Sequence, residues 1–498
     1  MEKQIAERLG LSTEQVEGAL ALLDDGNTVP FVARYRKEQT GGLDEVQIRD
    51  VNDKAESIRE LEDRRQTILE TIDEQNELTD ELRQKIERAS TQSQLEDLYA
   101  PYRPRQVTRA TRAREAGLEP VAERIRKGDD PRDIAPDLTG DEYESTEDVL
   151  QGGRDILAEE VSDDPEVRGF LRKQAWENGR WVCSKRRGAD GDSTYENYYD
   201  FSKPVNQVEP HQILAIRRGE NEKELSAKLR LNDDKLINRI AGYCIDVGGV
   251  AKQQYYEAVK DGYNRLLHPA IERDVRSELE DRADRHAIDN FSLNLKNLLL
   301  QPPMPDTVVL GIDPGQRTGC KLAVIETTGE LIDTDQIYVH DERREQAPDV
   351  IREIVRTEDV DLVAIGNGTA SRETEELVAE ALGDLSGVQY AIVDEAGASV
   401  YSASEVARAE LPDLDVSYRG AVSIARRLQD PLAELVKIDP QSIGVGMYQH
   451  DVNETDLETA LDAVVEDVVN SVGVDLNSAS PPLLARVAGI GPTLADRI

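Results

Sequence analysis

Residues 309–332 read VLGIDPGQRTGCKLAVIETTGELI, and this stretch decides the fold. An apolar run ends at Asp313, a Pro-Gly turn follows, and a second apolar run leads to Gly329, after which a third begins. Apolar runs bounded by Gly and Pro are typical of strands joined by tight turns. The stretch therefore predicts three consecutive strands, at about 307–313, 319–327 and 331–339.

Further along the chain, helix and strand patterns alternate. The predicted elements are a helix near 345–357, strand 361–367, a helix from about Arg372, strand 388–395 and a helix after Ala398. Three strands in sequence, followed by alternating helices and strands, predict an α/β domain with a mixed sheet. This is the element order of an RNase H-like fold.

The rest of the chain has helical periodicity. The first 300 residues repeat apolar positions at helical spacing, and a long helix is predicted from about 261 to 300. The Pro-rich stretch 301–306 then marks a boundary. We expect a multidomain, mostly α protein with one α/β domain. The predicted domains are a helical region 1–300, an RNase H-like domain 301–435 and an incomplete helix-hairpin-helix region 436–498.

The composition is strongly acidic, with a net charge of −40 over 498 residues and only 4% aromatic residues. The charge alone opposes binding to a polyanion, but it is spread along the chain and indicates adaptation to high salt. The three cysteines are isolated, which argues against a zinc ribbon or a disulfide framework. Because no apolar run approaches the ~20 residues needed to span a bilayer and the first residues lack a signal sequence, we expect a cytoplasmic protein without membrane contact.

Acidic residues stand at the predicted strand ends. Asp313 ends the first strand, and Asp394 and Glu395 end the last. In an RNase H-like nuclease, carboxylates at these positions hold two metal ions that activate water and stabilise the leaving oxygen. The middle strand, however, ends at Asn367, which supplies no charge. Asp313 is therefore either a magnesium ligand or an Asp that caps the turn it opens.

Two other patterns are typical of phosphate binding. In VAGIGPTLA (487–495), Gly489 and Gly491 precede a small-residue helix start at Thr493, as in a helix-hairpin-helix element whose backbone N–H groups bind phosphate. The alternative is an ordinary helical turn. In PYRPRQVTRATRARE (101–115), Arg103, Arg105 and Arg109 accompany tyrosines. The alternative for these arginines, and for the basic stretches 176–188 and 419–427, is salt bridging within the protein.

Several long segments resemble the Tex family of transcription accessory proteins. They include GNTVPFVARYRKEQTGGLDE, GIDPGQRTGCKLAV and SIARRLQDPLAELVKIDPQSIGVGMYQHDV, and the resemblance covers essentially the whole chain. It implies a helical N-terminal region with a helix-turn-helix-like part, a YqgF-type RNase H-like domain, helix-hairpin-helix elements and a C-terminal OB-fold that binds RNA. It also implies nucleic-acid binding and a link to transcription.

The chain departs from that pattern in two ways. It stops at Ile498, inside the second helix of the first hairpin, so the second hairpin and the OB-fold are expected to be missing. Resolvase-like relatives of the YqgF-type domain carry a third acid on the closing helix, where this chain has Arg419 and Gly420.

Two functions follow as hypotheses. The first is a scaffold that binds RNA or DNA through phosphates, contacts the transcription machinery, has no required cofactor and binds magnesium weakly at most. The alternative is a metal-dependent nuclease that uses Asp313, Asp394 and Glu395, with Glu373 supplied by the following helix. The number of acids at the strand ends favours the first and argues against an enzyme.

Overall fold

The computed structural model describes residues 1–103, 107–188, 194–244, 249–340, 342–383, 385–476 and 479–498. Helices make up most of these residues. In chain order they are α1 (Glu2–Leu9), α2 (Thr13–Asp24), α3 (Val29–Tyr35), α4 (Glu45–Glu74), α5 (Asp80–Arg88), α6 (Gln92–Tyr99), α7 (Arg109–Glu115), α8 (Glu119–Lys127), α9 (Thr146–Asp163), α10 (Pro165–Asn178), α11 (Pro210–Asn221), α12 (Asp233–Cys244), α13 (Gly249–Gly262), α14 (His268–Leu299), α15 (Ala347–Thr357), α16 (Ser371–Leu382), α17 (Ala398–Ala403), α18 (Glu405–Glu410), α19 (Val416–Gln429), α20 (Pro431–Leu435), α21 (Glu454–Val472), α22 (Pro481–Leu484) and α23 (Pro492–Ala495).

The strands form two sheets. They are β1 (Arg180–Lys185), β2 (Asp200–Pro204), β3 (Leu225–Arg230), β4 (Val309–Asp313), β5 (Cys320–Ile325), β6 (Leu331–Ile337), β7 (Leu362–Gly366) and β8 (Gln389–Val393). The first sheet has the order β2-β1-β3 and the second has the order β6-β5-β4-β7-β8. By its contacts the chain divides into two units, residues 52–286 and residues 2–51 together with 287–498.

The unit of residues 52–286 is helical around a small antiparallel sheet. Its core includes residues of α9, such as Ile156 and Leu157, and residues of the sheet, such as Trp181. The prediction of a helical region over the first 300 residues did not include this sheet. The strand pattern is visible in β3, where Leu225, Ala227 and Leu229 are buried at alternate positions. Strands of five or six residues between long helices give a weak signal.

The five-stranded sheet of the other unit confirms the predicted α/β region. Strands β4, β5 and β6 pair antiparallel, whereas β4–β7 and β7–β8 pair parallel. Alternate residues of β4 enter opposite layers because successive side chains of a strand point to opposite faces. Leu310 and Ile312 pack into a core with α15 and α16, and Val309 packs into a second core with α19.

Helix α19 closes the second face of the sheet at short distance. Its N-cap is Asp415, whose side chain accepts from the backbone N–H of Ser417. Gly311 of β4 permits the approach, because a Cβ at that position would lie 2.8 Å from the Cβ of Ala425. This packing brings the first turns of α19 to the edge of the sheet where β4 and β7 end.

Candidate functional site

The carboxylate of Asp313 lies at the end of β4, the central strand. Burial first, and then the negative charge of Glu395, raise the pKa of Asp313 to about 6. The residue opposite it on β5 is Lys321, whose positive charge lowers that pKa. Asp313 and Glu395 are therefore close enough for the charge of Glu395 to act on Asp313.

Glu395 follows β8 and packs against the end of β7. Its carboxylate contacts the backbone at Gly366 and Gly368, where no side chain could be accommodated without displacing it. Burial raises the pKa of Glu395, while a hydrogen bond from the Gly368 amide and the charge of Arg427 lower it. Its Oε2 atom is buried and has no hydrogen-bond partner among the described residues.

The side chains of the other two predicted strand-end residues accept hydrogen bonds from backbone N–H groups. The amide oxygen of Asn367 accepts from the N–H of Glu395 at 3.1 Å. The Oδ1 atom of Asp394 accepts from the N–H of Ala396 at 3.0 Å. Such short-range bonds are the usual role of Asn and Asp at turns. Glu395, and not Asp394, is the acid whose charge acts on Asp313.

On the closing helix, Gly420 faces Asp313. A Cβ at Gly420 would lie 2.5 Å from Oδ2 of Asp313, so no side chain fits there without movement of the acid. Arg419 is buried, and its guanidinium donates to the carbonyl oxygens of Leu414 and Ser402. Among the causes that shift the pKa of Asp313, the only cation is Lys321 rather than Arg419.

Arg427 belongs to this region, although the sequence pattern does not place it at the strand ends. Its side chain is 5% exposed, and Nη1 donates to the carbonyl oxygens of Asp394 and Ala396 at 2.6 and 2.8 Å. A buried guanidinium thus holds the turn that carries Glu395. The sequence feature that includes Arg427 is the basic stretch 419–427, and its composition predicts only nucleic-acid binding or salt bridging.

The residues at the strand ends do not fit a two-ion centre. Within the described ranges there is no group of three or more His, Cys, Asp or Glu side chains that could hold a metal ion. Asp313 and Glu395 supply two carboxylates, whereas two divalent ions held close together need several.

Two arginines of the predicted basic stretch 101–115 are paired with acids. Arg103 forms an ion pair with Glu96 and lies 5.7 Å from the ring centre of Tyr99. Arg109 is exposed at the start of α7, and Arg105 lies outside the described residues. The nearby Arg114 contacts Glu159 at 2.6 Å. For Arg103 and Arg114 the structure therefore places acids where phosphates were expected.

The hairpin lies between α22 and α23. Gly489 has φ +89°, a conformation that favours glycine, and Gly491 is the N-cap of α23. In the part of the chain that the structure describes, the N–H groups of Gly489, Gly491 and Thr493 donate to no acceptor, and all three residues are exposed. Asn470 of α21 supports the turn by accepting from Ala488 and donating to the carbonyl oxygen of Arg486.

The mixed sheet with its closing helix defines an RNase H-like domain, and the exposed turn is that of a helix-hairpin-helix element. Protein-family models match the same parts of the chain. They are the Tex-like protein N-terminal domain at residues 1–73, the Tex central region-like domain at 127–291, the Tex protein YqgF-like domain at 307–429 and the helix-hairpin-helix motif at 469–498.

Curated relatives agree with these matches. An uncharacterized Bacillus subtilis protein, YdcI, is 46% identical over 511 residues, which cover 100% of this chain and 71% of that protein. The transcriptional accessory protein Tex of Neisseria gonorrhoeae is 44% identical, covering 99% of this chain and 66% of the relative. The human S1 RNA-binding domain-containing protein 1 is 36% identical, and the match covers 100% of this chain and 52% of the human protein.

The chain belongs to the Tex family. It spans about two thirds of the length of its bacterial relatives and about half of the human one. None of the helices within the described ranges combines the length and the apolar character that crossing a bilayer requires.

Proposed function

We propose that this protein is a nucleic-acid-binding scaffold of the transcription apparatus, and that its RNase H-like domain does not cut. The observation that carries the binding proposal is the hairpin, where Gly489, Gly491 and Thr493 are exposed residues whose N–H groups have no acceptor among the described residues. Backbone donors gathered in one turn are suited to a phosphate oxygen. The name of the Neisseria relative supports the link to transcription.

The binding mode follows from the donors. Backbone N–H groups and arginines contact phosphates and sugars, and such contacts do not distinguish one base sequence from another. We therefore propose binding to RNA or DNA without sequence preference, by a protein of the cytoplasm adapted to high salt. A protein with net charge −40 repels nucleic acid at long range, so binding must depend on local groups that offset this repulsion.

The absence of cutting is proposed from the crowding at the strand ends. Gly420 and Gly368 leave no room for a further acid beside Asp313 and Glu395. Asn367 and Asp394 each hold a backbone N–H with a side-chain oxygen. At most one weakly held magnesium ion is expected at the remaining pair of carboxylates.

A titration with labelled RNA and DNA tests the binding proposal. Fluorescence anisotropy of a 20-nucleotide strand should report binding that weakens with rising KCl, because phosphate contacts release counterions. Gly491→Asp places a carboxylate at the turn and should weaken binding at least tenfold. Asp413→Asn, at an exposed position outside the hairpin, is the control. Equal affinity of Gly491→Asp and the unaltered protein would contradict the proposal.

A metal-dependent nuclease remains the second candidate because of one observation. The charge of Glu395 acts on Asp313, and the pKa of both groups is raised. Paired acids with raised pKa values are common in active sites, although structural clusters also produce them. The cleavage assay described in the Discussion separates the two functions.

A further inference from the structure

Helix α3 lies directly beside the hairpin. A Cβ at Gly489 would be 3.9 Å from Cε2 of Phe31, although the two residues are far apart in sequence. Two further side chains gather around Phe31. The ring of Tyr35 is 5.4 Å from the Phe31 ring, and the guanidinium of Arg36 lies 4.9 Å from its centre.

Unlike Arg34 of α3, which pairs with Glu45 at 3.6 Å, the two cations that directly follow the helix are not neutralised by an acid among the described residues. Arg49 and Arg486, which belong to the same unit, contact carboxylates at 2.9 and 2.8 Å. Within the described residues, by contrast, Arg36 and Lys37 form no ion pair with an acid within 4.0 Å. The Arg36 guanidinium instead donates to the carbonyl oxygen of Tyr35, at 3.0 Å. In a chain of net charge −40, unpaired cations beside a phosphate-binding turn require an explanation.

The aromatic side chains differ in exposure. Phe31 is half-buried, which packing against the hairpin explains. Tyr35 is 58% exposed, so its ring has a face available to a ligand. Exposed aromatic rings next to cations and phosphate donors are the elements from which single-strand binding sites are built.

We propose that Tyr35 and Arg36, positioned by Phe31, form one composite site with the hairpin donors at residues 489–493, and that its ligand is single-stranded nucleic acid. The inference rests on the proposed nucleic-acid binding and specifies the strand state of the ligand. The turn donates backbone N–H groups to one phosphate, Arg36 donates to a neighbouring phosphate, and the Tyr35 ring stacks on an unpaired base. Stacking requires a base that is not already paired and stacked within a duplex.

The test uses the full 498-residue chain and three fluorescein-labelled probes: dT20, U20 and a 20-base-pair DNA duplex. Tyr35→Ala should weaken binding to dT20 and U20 about fivefold or more, because one base loses its stacking partner. The same substitution should leave the affinity for the duplex unchanged. Tyr35→Trp should restore single-strand binding. Arg36→Gln should weaken binding to every probe. It should also reduce the slope of log affinity against log salt concentration by about one unit, the contribution of one phosphate contact.

Arg356→Gln is the matched control, because Arg356 is an exposed arginine without an ion pair among the described residues, on α15. Circular dichroism melts verify that each variant is folded. If Gly491→Asp weakens binding but Tyr35→Ala and Arg36→Gln do not, the composite site is wrong and the proposed function stands. If the unaltered chain binds none of the probes, both proposals are overturned. A Tyr35→Ala variant that loses duplex and single-strand affinity equally would also overturn the stacking role.

Discussion

The amide oxygen of Asn367 accepts a hydrogen bond from the backbone N–H of Glu395 at 3.1 Å, and the N–H of Asn367 donates to the carbonyl oxygen of Val393 at 3.0 Å. These two bonds fasten the end of β7 to the turn after β8. The residue that stands where a nuclease would carry an acid therefore has a defined role in the fold. It orients the backbone that presents Glu395 to Asp313.

The first prediction concerns cleavage. The protein should not cut single-stranded, duplex or branched nucleic acid with magnesium or manganese, because the described residues contain no group of three or more acids, histidines or cysteines that could hold a metal ion. Asn367→Asp keeps the acceptor oxygen and adds a charge, yet it should not create cutting while Gly420 faces Asp313. Gel assays of both proteins at several salt concentrations provide the measurement. Cutting by the unaltered chain that disappears in Asp313→Asn would establish the nuclease instead.

The second prediction concerns pH. The pKa of Asp313 is about 6 in the folded protein and is expected near 3.8 in the unfolded chain. Between these values the folded state holds a proton that the unfolded state has lost, so this group's contribution to the free energy of unfolding falls as pH rises towards 6 and beyond. At pH 7, Asp313→Asn should therefore be more stable than the unaltered protein, by up to about 3 kcal/mol.

Urea denaturation of both proteins from pH 4 to pH 8 measures this difference. The advantage of Asp313→Asn should be largest above pH 6 and should shrink towards pH 4, where the carboxyl is protonated in the folded state and increasingly so in the unfolded one. Asp413→Asn, at an exposed position, controls for the loss of one negative charge from an acidic protein. The prediction would be contradicted if the stability difference between Asp313→Asn and the unaltered protein were constant from pH 4 to pH 8.

The five-stranded sheet could be predicted because its strands are apolar runs separated by Gly and Pro, as in residues 309–332. The proximity of Asp313 and Glu395 was also predictable, since strands β4, β7 and β8 are parallel and their carboxyl ends share one edge. The small sheet was missed because each of its strands is short and pairs across intervening helical segments and loops.

Contacts made by packing could not be obtained from the sequence. The position of Gly420 against Asp313 depends on how closely α19 approaches the sheet, which is decided by Gly311 and its neighbours. The contact of Phe31 with Gly489 joins two segments that no local pattern relates. Local periodicity identifies an element and its buried face, but the partner of that face is set by the tertiary structure.

The third prediction concerns Arg427. Arg427→Met removes the guanidinium that donates to the carbonyl oxygens of Asp394 and Ala396. It also removes the positive charge that acts on Glu395. The expected loss of stability is about 2–4 kcal/mol, typical of breaking a buried charged hydrogen-bond group. Arg356→Met, at an exposed position, should change stability by less than about 0.5 kcal/mol. Denaturation midpoints measure both, and equal effects of the two variants would show that Arg427 has no special role.

The last prediction concerns salt. With 100 acidic and 60 basic residues, repulsion within the folded protein should be strong at low ionic strength, and few aromatic residues are present to offset it. The melting temperature should therefore rise with KCl. If screening is the cause, most of the rise should occur below about 0.5 M, because the Debye length falls from about 10 Å at 0.1 M to about 3 Å at 1 M. A rise that continues steeply into the molar range would instead indicate ion binding or a salting-out effect on apolar burial. Calorimetric scans in KCl, with sucrose as a non-ionic control, distinguish these outcomes, and a flat response to KCl would contradict adaptation to high salt.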